Sequence, residues 1–299
     1  MNRGWSYREQ VPAGAAGRTV LAHLAATYRH STAGDWATRI HGGEVEVDDA
    51  VAPPGAILRA GQWLTWHRPP WQEADVPQHF EVIHEDDAIV AVNKPSGLPS
   101  MPAGGFLDHT LLALVRARYP EANPLHRLGR FTSGIMLFAR TDAAASALSR
   151  AWRDRDVKKY YRALGSGVAA LDRFDIDAPI GAVPHPRLGE VYAASASGKP
   201  SHSSATVLER RRHSTLLEVQ ITTGRPHQIR IHLAFAGHPL VGDPIYDIGG
   251  VIKVQPGLPG DGGYLLHAER LVFVHPLTGR EMSLDAAASS PQALKTSSP

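Results

Sequence analysis

Cysteine is absent from the 299 residues, which excludes disulfide bonds and thiolate metal sites. The chain also lacks a run of about 18 apolar residues, so no segment is suited to spanning a membrane. Its first residues, MNRGWSYREQVPAG, contain no apolar core and do not predict a signal peptide. We therefore expect a protein of the cytoplasm that does not associate with membranes.

Lysine is also scarce, because only 6 of the 31 basic residues are Lys and 25 are Arg. The planar guanidinium fork of Arg fits phosphate and stacks on bases, although a GC-rich genome would produce the same bias. Net charge is only +2, so the chain as a whole does not indicate a nucleic-acid partner. The charge of individual segments is therefore more informative than the net charge of the chain.

The strongest local excess of positive charge is the stretch RAWRDRDVKKYYR, residues 150–162, which has six Lys or Arg against two Asp. It includes Tyr160 and Tyr161, and basic groups beside aromatic rings suit phosphate neutralisation together with base stacking. A solvated helix face is the simpler alternative for any one charged run.

Two domains are predicted from the pattern of helices, strands and Pro-rich segments. The second has more strands than helices, in mixed order, which predicts an α+β fold with a mainly antiparallel sheet. The expected divisions are an N-terminal extension (1–14), a small α+β module (15–70), a linker (71–79), a large domain (80–285) and a disordered tail (286–299).

The segment PLHRLGRFTSGIMLFAR, residues 124–140, combines basic side chains, a Thr-Ser-Gly turn and an apolar strand. Such a segment is typical of an active-site loop, but this one contains no acidic residue. Four further stretches accompany it in order along the large domain: NKPSGLPSMP (93–102), KKYYRAL (158–164), TTGRPHQIRIHLAFAGHPLVGDPIYD (222–247) and LLHAERLVFVHPLTG (265–279).

Together with HRLGRFTSG (126–134), these stretches make residues 80–285 resemble the family of RNA pseudouridine synthases that modify ribosomal and transfer RNA. Residues 15–70 resemble, more weakly, the small S4-type RNA-binding module that often precedes this domain. The resemblance implies a pseudouridine synthase fold and the isomerisation of uridine in structured RNA. It implies neither a metal nor a cofactor.

The implied reaction detaches uracil from ribose C1′, turns it and rejoins it through carbon. The target base must leave the RNA stack to reach the pocket. In the family an aspartate serves as nucleophile or ribose-activating group, an Arg keeps it ionised, and an aromatic ring holds the loose base.

Three residues correspond to these roles by the resemblance. The aspartate position is Gly129, which offers no carboxylate; some members, including plant ones, also carry His-Arg-Leu-Gly-Arg here. Tyr161 is the expected aromatic ring, in the pattern Lys159-x-Tyr161-x-Ala163. Arg230, within Gln-Ile-Arg, is the expected partner of an acid at position 129, and Arg225 is the second choice.

RNA contacts are expected from Arg127, Arg130, Lys159, Arg225 and His227, with Arg130 free to occupy the space beside Gly129. His126 is interpreted as a backbone hydrogen-bonding residue. His227 and His232 are five residues apart and do not match the zinc pattern His-Glu-x-x-His. We therefore expect no metal site.

Three functions stay open at this point. The first is a pseudouridine synthase, which would need another carboxylate; Asp243 is the nearest in the motifs, although its family role looks structural. The second is a catalytically degenerate homologue that only binds RNA. The third is a module for small nucleotides or proteins. A monomer is expected in each case.

Overall fold

The computed structural model describes residues 1–288 and Leu294. The chain divides into two compact units, residues 1–73 and 74–299. Within the described residues, no helix is long and apolar enough to cross a bilayer.

The first unit is a four-stranded antiparallel sheet with two helices. Strand order is β1-β4-β2-β3, and the buried side chains include Val20, Leu24, Trp36 and Ile40 from the helices. Thr32 and Asp35 form a capping box at the start of the second helix. Its elements are β1 (Trp5–Gln10), α1 (Val20–Thr27), α2 (Ala33–His41), β2 (Val45–Val47), β3 (Ala50–Val51) and β4 (Trp63–Arg68).

The prediction that residues 1–14 are an extension outside the module is wrong where β1 lies. This strand pairs with β4 along its whole length, from Trp5 opposite Arg68 to Gln10 opposite Trp63, so it belongs to the module. Part of the predicted linker also belongs to the first unit, since Asn2 N donates to Trp71 O at 3.0 Å. The S4-like character of this module stays a prediction.

The second unit is built on a ten-stranded sheet in the order β10-β13-β14-β9-β17-β8-β6-β5, with β18 on β17 and β7 on β8. All but one of its strand pairs are antiparallel, which confirms the predicted α+β class; β17 and β8 run parallel. Its elements are β5 (Glu81–Glu85), β6 (Ile89–Lys94), α3 (Leu111–Arg118), β7 (Asn123–Pro124), β8 (Ser133–Ala139), α4 (Asp142–Asp154), β9 (Lys158–Ser166), β10 (Arg173–Ile176), β11 (Ile180–His185), β12 (Gly189–Ala194), β13 (Ser203–Arg210), β14 (Ser214–Ile221), α5 (Gln228–Phe235), β15 (Tyr246–Asp247), β16 (Val251–Ile252), β17 (Leu266–Val274) and β18 (Glu281–Asp285).

Strands β6 and β8 are buried along their full length because each face is covered by a helix. Side chains alternate between the two faces of a strand. Ile135 and Leu137 accordingly pack towards Leu148 of α4, whereas Met136 and Phe138 pack towards Leu111 of α3.

The close approach of β8 and β17 requires glycine at one point. Gly134 lies opposite Ala268 in the parallel pair and has a φ of +107°, where an L side chain is strained. A Cβ on Gly134 would overlap the Ala268 backbone. The start of β8 is therefore held directly against β17.

The predicted disordered tail, 286–299, lies outside the described residues except for 286–288 and Leu294. At its start the prediction is wrong: Ala286 N donates to Glu269 O at 2.8 Å, and Ala286 O is 2.9 Å from Nε2 of His267. Backbone pairing therefore continues past the end of β18.

Candidate active site and RNA-binding cleft

Two adjoining cavities lie where the motif loops meet β9 and β14. The outer cleft has a volume of about 450 Å³ and the inner pocket about 110 Å³. Four residues line both cavities: Arg127, Tyr161, Ile221 and Arg225. The outer cleft is otherwise lined by His126, Trp152, Arg153, Arg155, Lys159, Thr222, Thr223 and Gly224, and the inner pocket by Leu128, Gly129, Thr132, His227, Gln228, Ile229, Arg230, Tyr264 and Leu266.

The outer cleft is cationic. Among the described residues, five Arg or Lys side chains line it and no Asp or Glu does. Three of the five, Arg153, Arg155 and Lys159, come from the basic run 150–162, which therefore contributes directly to the cleft. Because several unopposed cations in one concavity attract polyanions, the cleft is suited to a phosphate backbone.

Strand β9 places Lys159 and Tyr161 towards the cavities. Residues two apart on a strand share a face, and both of these line the outer cleft. The intervening Tyr160 instead lies under the guanidinium of Arg270, with the charge 4.2 Å from the ring centroid. Burial raises the pKa of Tyr161 to about 12, so its hydroxyl stays protonated at neutral pH.

Hydrogen bonds from two side chains to backbone carbonyls hold the loop that carries Gly129. Ser100 Oγ donates to Leu128 O at 2.8 Å. The ammonium of Lys94 is buried and donates to the carbonyls of Pro95, Leu98 and Arg130 at 2.8–2.9 Å. These bonds tie the NKPSG and HRLGR segments together.

His126 supports the same loop. Leu137 N donates to its Nε2 at 3.0 Å, as the interpretation of a backbone-bonding histidine requires. Its ring stacks on Trp152 with centroids 4.9 Å apart. Burial, and then the charge of Lys159, lower the pKa of His126 to about 4.

Arg130 does not occupy the space beside Gly129. Its Nε donates to Gly97 O at 2.9 Å, and its guanidinium lies over the rings of Phe106 and Phe131 at 4.6 and 5.0 Å. The hypothesis that Arg130 would fill the vacant place is wrong, because these two rings and a carbonyl hold it elsewhere.

Arg230, the expected partner of an acid at position 129, is paired with Asp243. Its Nε and Nη2 donate to the two carboxylate oxygens of Asp243 at 2.7 and 2.8 Å, with both side chains buried. Burial alone would raise the pKa of Asp243, but the Arg230 bonds and charge and two backbone N–H groups lower it. Asp243 therefore acts structurally and does not line either cavity.

Tyr264 holds the place beside Gly129. An ideal Cβ on Gly129 would lie 2.9 Å from Tyr264 Oη and 3.3 Å from Thr132 Oγ1. The Arg230 guanidinium lies 4.2 Å from the Tyr264 ring centroid. No motif in the sequence singled out Tyr264, which directly precedes the LLHA segment and is 135 positions from Gly129.

Arg225 lines both cavities and has a free donor. Its Nε is buried without a hydrogen-bond partner among the described residues. Its backbone N–H donates to Gln228 Oε1 at 3.1 Å, and Thr223 donates to the same oxygen at 2.7 Å. Gln228 thus shapes the turn that presents Arg225.

His227 lines the inner pocket and keeps one ring nitrogen as an acceptor. The Tyr246 hydroxyl donates to Tyr192 O at 2.7 Å, so its 2.6 Å contact with His227 Nδ1 requires the imidazole to donate. Burial, followed by the charge of Arg230, lowers the pKa of His227 to about 3. The ring is neutral at physiological pH, and Nε2 is left to accept a hydrogen bond.

The described site is thus a cationic cleft that shares four lining residues with a small pocket containing Tyr161 and Tyr264, on a mainly antiparallel α+β scaffold. Such a combination is typical of enzymes that act on a base withdrawn from a nucleic acid. Comparison with known proteins defines the class further.

Residues 88–235 match the family model described as RNA pseudouridylate synthase. An uncharacterized RNA pseudouridine synthase of Synechocystis is 44% identical over 87% of this chain and 90% of its own length. RNA pseudouridine synthase 5 of rice (Oryza sativa subsp. japonica) is 39% identical over 95% and 87%. Ribosomal large subunit pseudouridine synthase D of Neisseria meningitidis serogroup B is 36% identical over 89% and 74%.

Among solved structures, human RNA pseudouridylate synthase domain containing 1 superposes with a TM-score of 0.59 at 25% identity, covering 75% of this chain and 89% of the human one. The chain belongs to the RNA pseudouridylate synthase family. This membership confirms the resemblance read from the five sequence stretches.

Proposed function

We propose that this protein binds structured RNA along the outer cleft and isomerises a uridine to pseudouridine in the inner pocket. The single observation that carries the proposal is the juxtaposition of Tyr161 with five cations that no carboxylate opposes. Family membership supplies the reaction class.

Each part of the site has a place in this reaction. Arg127, Arg153, Arg155 and Lys159 bind phosphates along the outer cleft. Tyr161 lines both cavities. From this position its ring stacks on the uracil that has left the RNA helix. Arg225 extends its unbonded Nε–H to the ribose or a phosphate beside the target nucleotide.

His227 accepts a hydrogen bond from the substrate. Its neutral ring and free Nε2 suit the N3–H of uracil, whereas cytosine has an acceptor at that position. The substrate is ribosomal or transfer RNA; one relative is named a ribosomal large subunit enzyme. A cytoplasmic monomer agrees with this substrate.

The test is release of tritium from RNA labelled at uracil C5, which must lose its proton when the base rejoins through carbon. The labelled RNA is total RNA from a strain of the source organism that lacks the gene. We expect release by the purified protein and loss of one pseudouridine signal from the deletion strain. RNA that binds the protein but releases no tritium would instead indicate the degenerate homologue.

A further inference from the structure

The inner pocket contains no Asp or Glu among its lining residues, although the proposed isomerisation needs a group that takes ribose C1′ while uracil turns. Asp243 is not available. Both of its oxygens accept from Arg230, and Oδ1 also accepts from the backbone N–H groups of Ile245 and Tyr246. The group that reacts with ribose must therefore be something other than a carboxylate of this pocket.

The hydroxyl of Tyr264 occupies the place where a side chain at residue 129 would begin, 2.9 Å from the ideal Cβ. Among the described residues, its one hydrogen-bond contact is long, 3.4 Å to Thr132 Oγ1. The oxygen is therefore positioned by packing and keeps capacity for a substrate.

A buried cation lies against the Tyr264 side chain. The Arg230 guanidinium lies over the Tyr264 ring at 4.2 Å from its centroid. Asp243 uses Nε and Nη2 of that guanidinium, while Nη1 is buried with no partner among the residues that the structure describes. A cation beside a developing oxyanion stabilises it, the more so in a water-poor site.

The other hydroxyls in the pocket are less suited. Thr132 has an aliphatic hydroxyl, which gives up its proton less readily than a phenol and needs an adjacent base. Tyr161 lies on β9 and is required as the stacking surface.

We propose that Tyr264 is the nucleophile of this enzyme, attacking ribose C1′ in place of a carboxylate. The inference rests on the proposed function. Tyrosine is an established type of covalent catalyst, including at the anomeric carbon of sugars.

The reaction balances with the groups at hand. Tyr264 Oη forms a bond to C1′ as the C1′–N1 bond breaks; the electron pair goes to uracil, which takes the phenolic proton. The base turns, and the electrons of its C5–C6 bond form C5–C1′ as the Oη–C1′ bond breaks and its electron pair returns to Tyr264. The proton at C5 then passes to Oη, which restores the phenol and the aromatic product.

The experiment compares full-length wild type, Tyr264→Phe and Tyr119→Phe in single-turnover tritium release from the labelled total RNA described above. Tyr119 is a matched control because it is also buried and its hydroxyl donates to Glu85 at 2.6 Å. We expect Tyr264→Phe to lose at least about 100-fold in rate with unchanged RNA affinity, and Tyr119→Phe to keep the wild-type rate.

A second arm replaces Tyr264 with 3,5-difluorotyrosine, which is a stronger acid. Because the mechanism uses the protonated phenol, the rate should fall as the phenol loses its proton at alkaline pH, and this fall should shift to lower pH in the fluorinated variant, as expected for a phenol that reacts rather than one that packs. Tyr264→Phe at the wild-type rate, or an unmoved pH profile, overturns the nucleophile while leaving the synthase intact. A wild type that binds the RNA and releases nothing refutes the proposed function itself.

Discussion

Gly129 has a backbone that any residue can adopt, because it is not among the glycines with positive φ. The obstacle to a side chain there is Tyr264, whose hydroxyl lies 2.9 Å from the ideal Cβ. A carboxylate at position 129 and a hydroxyl on residue 264 therefore compete for one space. The glycine and the tyrosine are best understood as a linked pair.

Gly129→Asp should thus not improve catalysis by itself. We expect the new side chain to displace Tyr264 and to cost about 1–3 kcal/mol of unfolding free energy, as overpacking of a buried site does. Tritium release should fall. The double variant Gly129→Asp/Tyr264→Phe should be more stable than the single one, since the competing hydroxyl is gone. Urea denaturation measures both, and an unaltered midpoint for Gly129→Asp would show that the two positions do not compete.

His126 should make the unfolding free energy of the protein decrease at acidic pH. Its pKa is about 4 in the folded protein, below the ordinary value of about 6.5, so the unfolded chain binds more protons between these pH values. The contribution of His126 to the unfolding free energy should be fully present above about pH 6.5 and should decrease as the pH falls towards 4.

In His126→Gln, whose amide oxygen can still accept from Leu137 N, this contribution should be absent. The measurement is the denaturation midpoint of both proteins from pH 4 to 7. If the midpoints of the two proteins changed with pH in parallel, the loss of stability in acid could not be assigned to His126.

At the scale of elements, Lys94 joins the end of β6 to two loops through three carbonyls. Lys94→Met keeps much of the chain length but leaves those carbonyls without their donor. We expect a loss of about 3 kcal/mol or more in unfolding free energy. Lys158→Met is the matched control, because Lys158 is exposed and lies 3.9 Å from Glu281, and should change stability by less than about 0.5 kcal/mol. Equal effects of the two substitutions would refute the role of Lys94 as a tie.

The elements also show what the sequence can predict. Capping residues and strand alternation are local signals: Thr32 and Asp35 mark the start of α2, and alternation along β9 puts Tyr161, not Tyr160, on the face of Lys159. Tyr161 itself was identified by the family resemblance. The contact of Arg230 with Asp243 joins α5 to a loop 13 residues further on, and the place beside Gly129 is taken by Tyr264, from a distant part of the chain. Such pairs depend on how α5, β8 and β17 pack, which no local pattern encodes. The strand β1 was missed for a related reason: an edge strand with exposed residues lacks the apolar alternation of a half-buried one.

At the scale of the molecule, RNA affinity should depend strongly on salt because five cations line the outer cleft. If each neutralises one phosphate of a single-stranded segment, log affinity should fall against log salt with a slope of about −3.5. Arg153→Ala/Arg155→Ala should make this slope less steep by about 1.4.

The matched control is Arg173→Ala/Arg280→Ala, which removes two exposed Arg side chains that line neither cavity. Its slope should equal that of the wild type. If the control changes the slope as much as the cleft variant does, the RNA does not follow the outer cleft.

The cations of the outer cleft, which no carboxylate among the described lining residues opposes, should also affect the steady-state rate of the enzyme. Isomerisation leaves the number of phosphates unchanged, so the cations hold the modified RNA as firmly as the unmodified one. Departure of the product then limits repeated turnover, as it does in many enzymes. Moderate salt should accelerate the steady-state rate while leaving the rate of a single turnover constant, until higher salt prevents the RNA from binding at all.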